Sequence, residues 1–481
     1  MEIDVLTGPP SRGLRGSEFT VFDSAAAPAD EQLIDRLGEG TEGTDLAAPP
    51  VVLPDFCHKT KSEMPSSIAV ATQGAIRPTL TDAALNCGMA LVALDVDRPP
   101  AAAVTEFYRQ VAERFPNPPS WRRDLKHAEV LRAATEGAHF AAERYDLGDA
   151  ELDRVEERGW LDTEPFGGAR QAKKDLPWIV VQMGRLRFGT IGPSTHFLEL
   201  QEVEEILDPA VADRLGIHAG QVTLQFHNGG GVLTGQLGAL YARRKSASRM
   251  LRAEMSVQKP LSHLATARSR AQVASRLAAY FAQDCPSIPV AGDDGRRALL
   301  ATRLSMNYGF AYRMATYAAL RAIAWSSLGA TTRLVVDSPH NSVYEEEIGG
   351  APAFVHRHNA CRAYPAELMA GHPAFAETGQ PVLLPGTNRT SSYLCVPATG
   401  AHRSLYSACH GSGSIIAAFE RSGRSGADPH RRATARYRYD GAAPAHVPHI
   451  DDKGVNEALG ILSGHDLVRP VARMRPFAVL S

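Results

Sequence analysis

Four apolar runs in this chain end on a thiol or an imidazole, and that recurrence constrains the fold more than any other feature. They are Leu85-Asn86-Cys87-Gly88-Met89, the stretch 192–199 carrying His196, Phe226-His227-Asn228-Gly229-Gly230-Gly231, and Val335-Val336-Asp337-Ser338-Pro339-His340-Asn341. Runs of Val, Ile and Leu bounded by Gly, Pro and Asn read as strands. Each run therefore delivers a soft ligand at a strand end. One thiolate and three imidazoles suit zinc and the late first-row divalent ions. Drawn from four distant segments, they would make an open metal site. A fifth stretch, Ser407-Ala408-Cys409-His410-Gly411-Ser412-Gly413, sets His410 among small residues. Glycine lets a ligand approach the backbone closely, and successive N–H groups in such turns form anion-binding concavities. Neutral imidazole is also a nucleophile that can carry a phosphoryl or nucleotidyl group.

Composition narrows the class. With 51 Lys and Arg against 53 Asp and Glu, the net charge is −2, which removes the global electrostatic case for a nucleic-acid coat protein. Nucleic-acid contact, where it occurs, is local. The six cysteines form no Cys-x-x-Cys pair, and the N-terminus, Met-Glu-Ile-Asp-Val-Leu, has neither a basic nor an apolar signal region. No run reaches the roughly 20 apolar residues of a membrane span. A cytoplasmic protein with reduced cysteines and no membrane partner is the expectation.

Strands are expected at 19–22, 51–53, 68–71, 89–94, 179–181, 221–226 and 333–337, and helices at 31–37, 101–115, 125–145, 239–282 and 296–323. Their mixture argues α+β: mixed or antiparallel sheets with helices around a central metal and nucleotide cleft. No clean linker divides the chain, so 1–481 is read as one large domain. Within it, the Gly/Ser/Arg-rich segment 421–438 is expected as a mobile basic surface loop. His446 and His449 are expected at the surface, and Glu345 to Glu347 as a solvated run with one carboxylate near the site.

Taken in order, these segments resemble the RtcB family of RNA-splicing ligases over nearly the whole chain. The family's Pro-Asp-Val-His is similar to Pro54-Asp55-Phe56-Cys57-His58, with two extra residues before Pro65. Its Asn-Cys-Gly-Met matches Asn86 to Met89, and its Gly-Asn-His-Phe-Leu-Glu matches the end of 189–199. Its His-x-Gly-Ser-Arg-Gly is similar to 227–232, and its Asn-Tyr-Ala-x-Ala-x-Arg to 307–313. His340-Asn341, 356–363, 385–393 and Cys409-His410-Gly411-Ser412-Gly413-Ser414 continue the series.

The resemblance implies a ligase dependent on Mn²⁺ and GTP, in which His410 becomes nucleotidylated. It implies metal ligation by Cys87, His227 and His340, with His196 beside a second metal. It implies nucleotide binding by Asn341, Glu199, Pro385, Gly386, Thr387, Ser392, Gly411 and Gly413, and substrate orientation by Arg357, Arg362 and Asp55, with the basic stretch 243–252 as a further candidate. The departures cluster. The family's metal-binding aspartate is Ala84 here, its asparagine before the histidine is Thr195, and Gly231, His358, Ser414 and Leu480 replace cations. Loss of the aspartate moves the expected metal from Mn²⁺ toward Zn²⁺ or Co²⁺ and predicts one firmly bound ion. Loss of the cations weakens the case for an RNA phosphate end, since a bidentate arginine is a strong, geometry-specific phosphate contact.

Three readings follow. In the first, a His410–nucleotidyl intermediate activates an acid, phosphate or carboxylate, on an acceptor that need not be RNA. The second is an RNA 3′-phosphate/5′-hydroxyl ligase, and the third a catalytically silent nucleotide- or RNA-binding relative. GTP is the expected nucleotide with ATP as the alternative, and a monomer or homodimer the expected assembly.

Overall fold

The computed structural model describes residues 18–59, 62–82, 84–119, 121–192, 196–242, 248–282 and 287–480, and the fold is α+β. Seven strands of the larger sheet pair antiparallel in the order Val382–Leu384, Ser392–Pro397, Val468–Leu480, Phe197–Ile206, Val222–Asn228, Gly88–Leu94 and Thr332–Pro339. The smaller sheet runs Thr20–Val21, Val51–Cys57, Ser66–Thr72, Ala351–His358 and Asn341–Ile348. His340 is the single residue between a strand of the first sheet and a strand of the second.

Gly88–Leu94 shows why the central strands lack polar alternation. Ala90, Val92 and Leu94 enter the apolar core shared with the helices, whereas Met89, Leu91 and Ala93 enter a second core on the opposite face. Successive side chains point to opposite faces. With both faces covered, the strand is apolar throughout. Where one face meets water, alternation returns: Glu345 and Glu347 are exposed and Glu346 is buried within Asn341–Ile348.

The 36-residue helix Asp293–Leu328 packs on one face of the larger sheet and carries the 296–323 expectation further at both ends. Asp293 and Asp294 in its first turn complement the helix dipole, and Gly329 closes it at φ 65°. Other expectations need correction. The run 179–181 lies in the helix Trp178–Gly184, not in a strand; a short apolar run does not distinguish the two, and Pro177 at the N-cap starts the helix. The helix expected over 125–145 breaks at Gly137, φ 59°, where a Cβ would lie 2.1 Å from the Gly159 carbonyl oxygen. The stretch 239–282 divides into the end of Gly231–Tyr241, then Arg249–His263 and Arg270–Leu277; Arg243, Arg244 and Lys245 lie outside the described residues. Within 421–438, Thr434–Tyr437 is a strand paired parallel with Val468–Leu480 and antiparallel with Ala445–Val447. His449 is buried rather than exposed, and Thr434 Oγ1 lies 2.7 Å from its Nε2.

One buried ion pair braces the ligand-bearing edge. Arg313, on the long helix, donates through Nε and Nη2 to the two Asp337 carboxylate oxygens, both at 2.7 Å, and through Nη1 to the carbonyl of Asn86, the residue before Cys87. Both side chains are almost wholly buried. Removing one partner strands the other charge, so Arg313→Met should cost about 3–5 kcal/mol in urea unfolding, while Arg313→Met with Asp337→Leu should recover most of it. A single variant within about 1 kcal/mol of the parent would contradict this.

Candidate active site

The antiparallel order places the ligands. Cys87 precedes the first residue of Gly88–Leu94, His196 precedes the first of Phe197–Ile206, His227 is the next-to-last of Val222–Asn228, and His340 follows the last of Thr332–Pro339. These four strands are consecutive neighbours, with Gly88 opposite both Asn228 and Pro339 and His227 opposite both Met89 and Phe197. In an antiparallel sheet, one strand's start lies beside its neighbour's end. Two starts and two ends therefore meet at one edge.

The side chains converge there. His227 Nε2 lies 3.3 Å from Cys87 Sγ and 3.0 Å from His340 Nε2, and His196 Nε2 lies 3.8 Å from Cys87 Sγ. The His410 ring stacks on His340 with centroids 3.7 Å apart and planes 18° apart, and sits 5.1 Å from the His227 ring. A two-residue backbone clamp sets that stack: Asn359 O accepts the His410 N–H at 3.2 Å, and Ala360 N–H donates to His340 O at 2.9 Å. Asn359 holds φ 52°, a left-handed conformation that asparagine tolerates better than most residues. Its own N–H donates to Asn341 Oδ1 at 2.9 Å. Asn341, expected at the nucleotide, thus supports the clamp.

Donor atoms of Cys87, His196 and His227 all lie within 4.8 Å of one another, and so do those of His227, His340 and His410. The candidate ligands thus form two overlapping triplets that share His227, which also touches both Cys87 and His340. A soft divalent ion fits this donor set. His340 faces the cluster through Nε2, 3.0 Å from His227 Nε2, and its buried Nδ1 has no hydrogen-bond partner. Burial, then the neighbouring imidazoles, holds His340 and His410 well below the usual imidazole range, so both are neutral at pH 7. Burial pushes the Cys87 thiol up to about 12, with Asp82 adding to it. Asp82, two positions before Ala84, accepts from Ser62 Oγ at 3.0 Å and from Ala84 N–H at 2.8 Å. Thr195 lies outside the described residues.

Most of the nucleotide candidates are joined by one hydrogen-bonded chain. Ser412 Oγ donates to Pro385 O at 2.8 Å, joining the His410 turn to the Pro385–Gly386–Thr387 turn. Gly386 N–H donates to Ser392 Oγ at 3.1 Å, and Gln201 Nε2 links Ser392 Oγ at 3.4 Å to Glu199 Oε2 at 3.0 Å. Only glycine fits at 386, where a Cβ would stand 2.1 Å from Ser391 O. A Cβ at Gly413 would meet nothing within 4 Å, and at Gly411 only Asp55 Oδ2, at 3.4 Å. Asp55 itself, buried, accepts the Ser414 N–H at 2.6 Å and the Ser414 hydroxyl at the start of helix Gly413–Arg421. It braces the helix that follows His410.

Glu199 is fully enclosed, and burial pushes its carboxyl up to about 7. The neutral form is favoured in the folded state, so stability is greatest below the ordinary glutamate range and falls as pH rises through 7. Glu199→Gln should remove that slope, raising stability relative to the parent by on the order of 3 kcal/mol at pH 8 and by little at pH 4.5. Denaturant unfolding at the two values checks it, and equal differences at both would refute it.

The arginines expected to orient substrate belong to the core. Arg357 donates to both Glu346 oxygens, to Ser407 Oγ and to the carbonyls of Leu405 and Tyr406. Arg362 donates to Gln380 and Glu157 and lies over the Tyr344 and Tyr364 rings. His358 keeps Nδ1 2.9 Å from Pro65 O, and burial lowers it to about 4. Leu480 is buried on the last strand opposite Leu198. Cys409 is a buried core residue, and Cys57 Sγ contacts Ser66 Oγ at 3.3 Å. Sequence reasoning missed Lys59, whose Nζ donates to Asn359 Oδ1 at 2.7 Å. Its signal was its place in the extended segment after Asp55.

The structure thus combines an α+β fold with a buried thiol–imidazole cluster that could hold a metal ion and a histidine stacked on it ahead of a glycine-bearing turn. The family described as "tRNA-splicing ligase RtcB" matches residues 45–481, and the chain belongs to it. The tRNA-splicing ligase RtcB of Pyrococcus horikoshii is 27% identical over 419 residues, covering 82% of this chain and 44% of that protein. That of Thermococcus kodakarensis is 25% identical over 499 residues, covering 94% and 93%. The RNA-splicing ligase RtcB of Mycobacterium tuberculosis is 28% identical over 312 residues, covering 64% of each. The chain thus spans less than half the length of the Pyrococcus horikoshii relative. Among the described residues, no helix is long and apolar enough to cross a membrane.

Proposed function

We propose that this chain is a metal- and nucleotide-dependent ligase that works through a His410–nucleotidyl intermediate and activates an acid for attack by a second substrate. The observation that carries it is the buried His410 imidazole, stacked 3.7 Å from His340 within the ligand cluster and continued by an open glycine turn. An imidazole nitrogen of His410 attacks the α-phosphorus of GTP; a P–N bond forms, the P–O bond to pyrophosphate breaks, and the imidazole releases its proton. Oxygen of the acid then attacks the same phosphorus and returns the electron pair to the imidazole. A hydroxyl of the second substrate displaces GMP from the resulting anhydride.

The residues present have defined parts. Cys87, His196, His227 and His340 would hold the metal, which supplies charge stabilisation at the departing phosphate oxygens. Mn²⁺, Zn²⁺ and Co²⁺ are the candidates. Asn341, through Asn359, holds His410 on His340, and Asp55 fixes the helix beyond it. Gly386, Ser392 and Glu199 line the nucleotide side; GTP is the family's nucleotide and ATP the alternative.

The names of the relatives favour an RNA as the substrate, and the sequence resemblance implies its 3′-phosphate as the acid. The commitment of Arg357 and Arg362 to the core, with Ser414 at the helix start, favours a less phosphate-specific acceptor. Intact-mass measurement after incubation with each nucleoside triphosphate and Mn²⁺, followed by a chase with 3′-phosphate and 5′-hydroxyl RNA, tests both. An adduct of nucleoside-monophosphate mass supports the intermediate, and its absence with every nucleotide and metal overturns it. Joined RNA assigns the acceptor; an adduct that RNA does not discharge assigns another acid.

A further inference from the structure

The nucleotide-side residues Glu199, Gly386 and Ser392 all belong to the larger sheet or its loops. Lys59 approaches from the other sheet. The chain leaves the strand Val51–Cys57 through exposed His58 and Lys59, and the Lys59 ammonium docks on Asn359, whose carbonyl holds the His410 amide. Its charge acts on His410, His340 and Cys87 alike, which places it within electrostatic range of all three. Beside burial and His227, Lys59 is the charge that acts on His410. Asp55, a carboxylate on which its charge also acts, is bonded to Ser414. An ammonium has three donors, and Asn359 takes one.

Resting on the histidyl-nucleotide reading above, we propose that Lys59 binds the anionic acceptor, the phosphate or carboxylate that removes the nucleotidyl group from His410. Lys59 is exposed, and its ammonium stands one hydrogen bond from Asn359, the residue whose carbonyl holds the buried His410. It therefore offers an entering acid a fixed positive charge close to His410. A lysine is a point charge rather than a planar fork, so it accepts a phosphate monoester or a carboxylate without demanding phosphoryl geometry. Bound there, the acid's oxygen attacks the phosphorus on His410; the P–N bond breaks, and its electron pair returns to the imidazole nitrogen.

The test uses the full chain. Parent, Lys59→Ala and Lys59→Arg are loaded with GTP and Mn²⁺, freed of nucleotide, and chased with a 3′-phosphate oligoribonucleotide, inorganic phosphate or acetate while adduct loss is followed by intact mass. The expected result is equal adduct in all three proteins, with discharge of Lys59→Ala slowed about 10- to 100-fold at subsaturating acceptor, as for loss of one charge-assisted hydrogen bond. Its acceptor KM should rise, and Lys59→Arg should recover part of the rate. Discharge by RNA alone supports an RNA end as the ligand, and discharge by phosphate or acetate supports a small acid. Parental discharge by Lys59→Ala overturns the lysine's role, as does equal loss of loading and discharge, which marks Lys59 as a tether for the His410 turn. A parent chain that never loads overturns the histidyl-nucleotide reading and this one with it.

Discussion

His410→Ala is expected to take up no nucleotide covalently and to lose ligation by a factor on the order of 10⁴–10⁶, the scale seen when a nucleophile is removed from a site whose parts act as a unit. The fold should survive. His410 contributes one face of a stack, and its neighbour His340 keeps its backbone bond to Ala360. Metal should survive as well, because Cys87, His196 and His227 form a triplet without it. The measurement is intact mass with GTP and Mn²⁺, alongside metal content and thermal unfolding. An adduct of unchanged mass on His410→Ala would move the nucleophile elsewhere. Loss of metal together with the adduct would show His410 acting chiefly as a ligand.

The site was more legible than the scaffold around it, and the reason is physical. Cys87, His196, His227 and His340 each sit at the end of an apolar run, and such ends can be found without knowing how the runs pair. Which ligands share an ion depends on pairing. The strand after Cys87 lies between those of His227 and His340, yet the side chains meet with His227 touching both Cys87 and His340, and no local pattern encodes that. Arg357 and Arg362 misled for a related reason. Their charge suggested a substrate, but the period of two in Asn341–Ile348 turns Glu346 inward to receive Arg357, and Glu157 receives Arg362 across 205 residues. The helix at Trp178–Gly184 was lost because a three-residue apolar run carries no period. Glu199 and Gly386 were recognisable singly, but the path joining them through Gln201 and Ser392 crosses two strands and a turn.

The sharing of His227 carries the second large effect. His227 is the one residue present in both triplets, so His227→Ala should abolish firm metal binding, whereas Cys87→Ala should leave the three-histidine set. Loss of an outer-shell partner alone costs about 10- to 100-fold in metal affinity, and loss of a direct ligand from both sets should exceed that. Plasma-mass-spectrometric metal analysis after dialysis should therefore fall from about one ion per chain to a background level in His227→Ala. In Cys87→Ala a weaker, nitrogen-only site should remain, shifted away from thiolate-favouring ions. That residual site would include His410, so an ion held there would occupy the same imidazole that the nucleotide requires. With Mn²⁺ kept in excess, nucleotide loading of Cys87→Ala should accordingly decline as Zn²⁺ is added and return with a Zn²⁺-selective chelator. Two firmly bound ions per parent chain, or undiminished metal in His227→Ala, would show that the triplets do not compete for one ion.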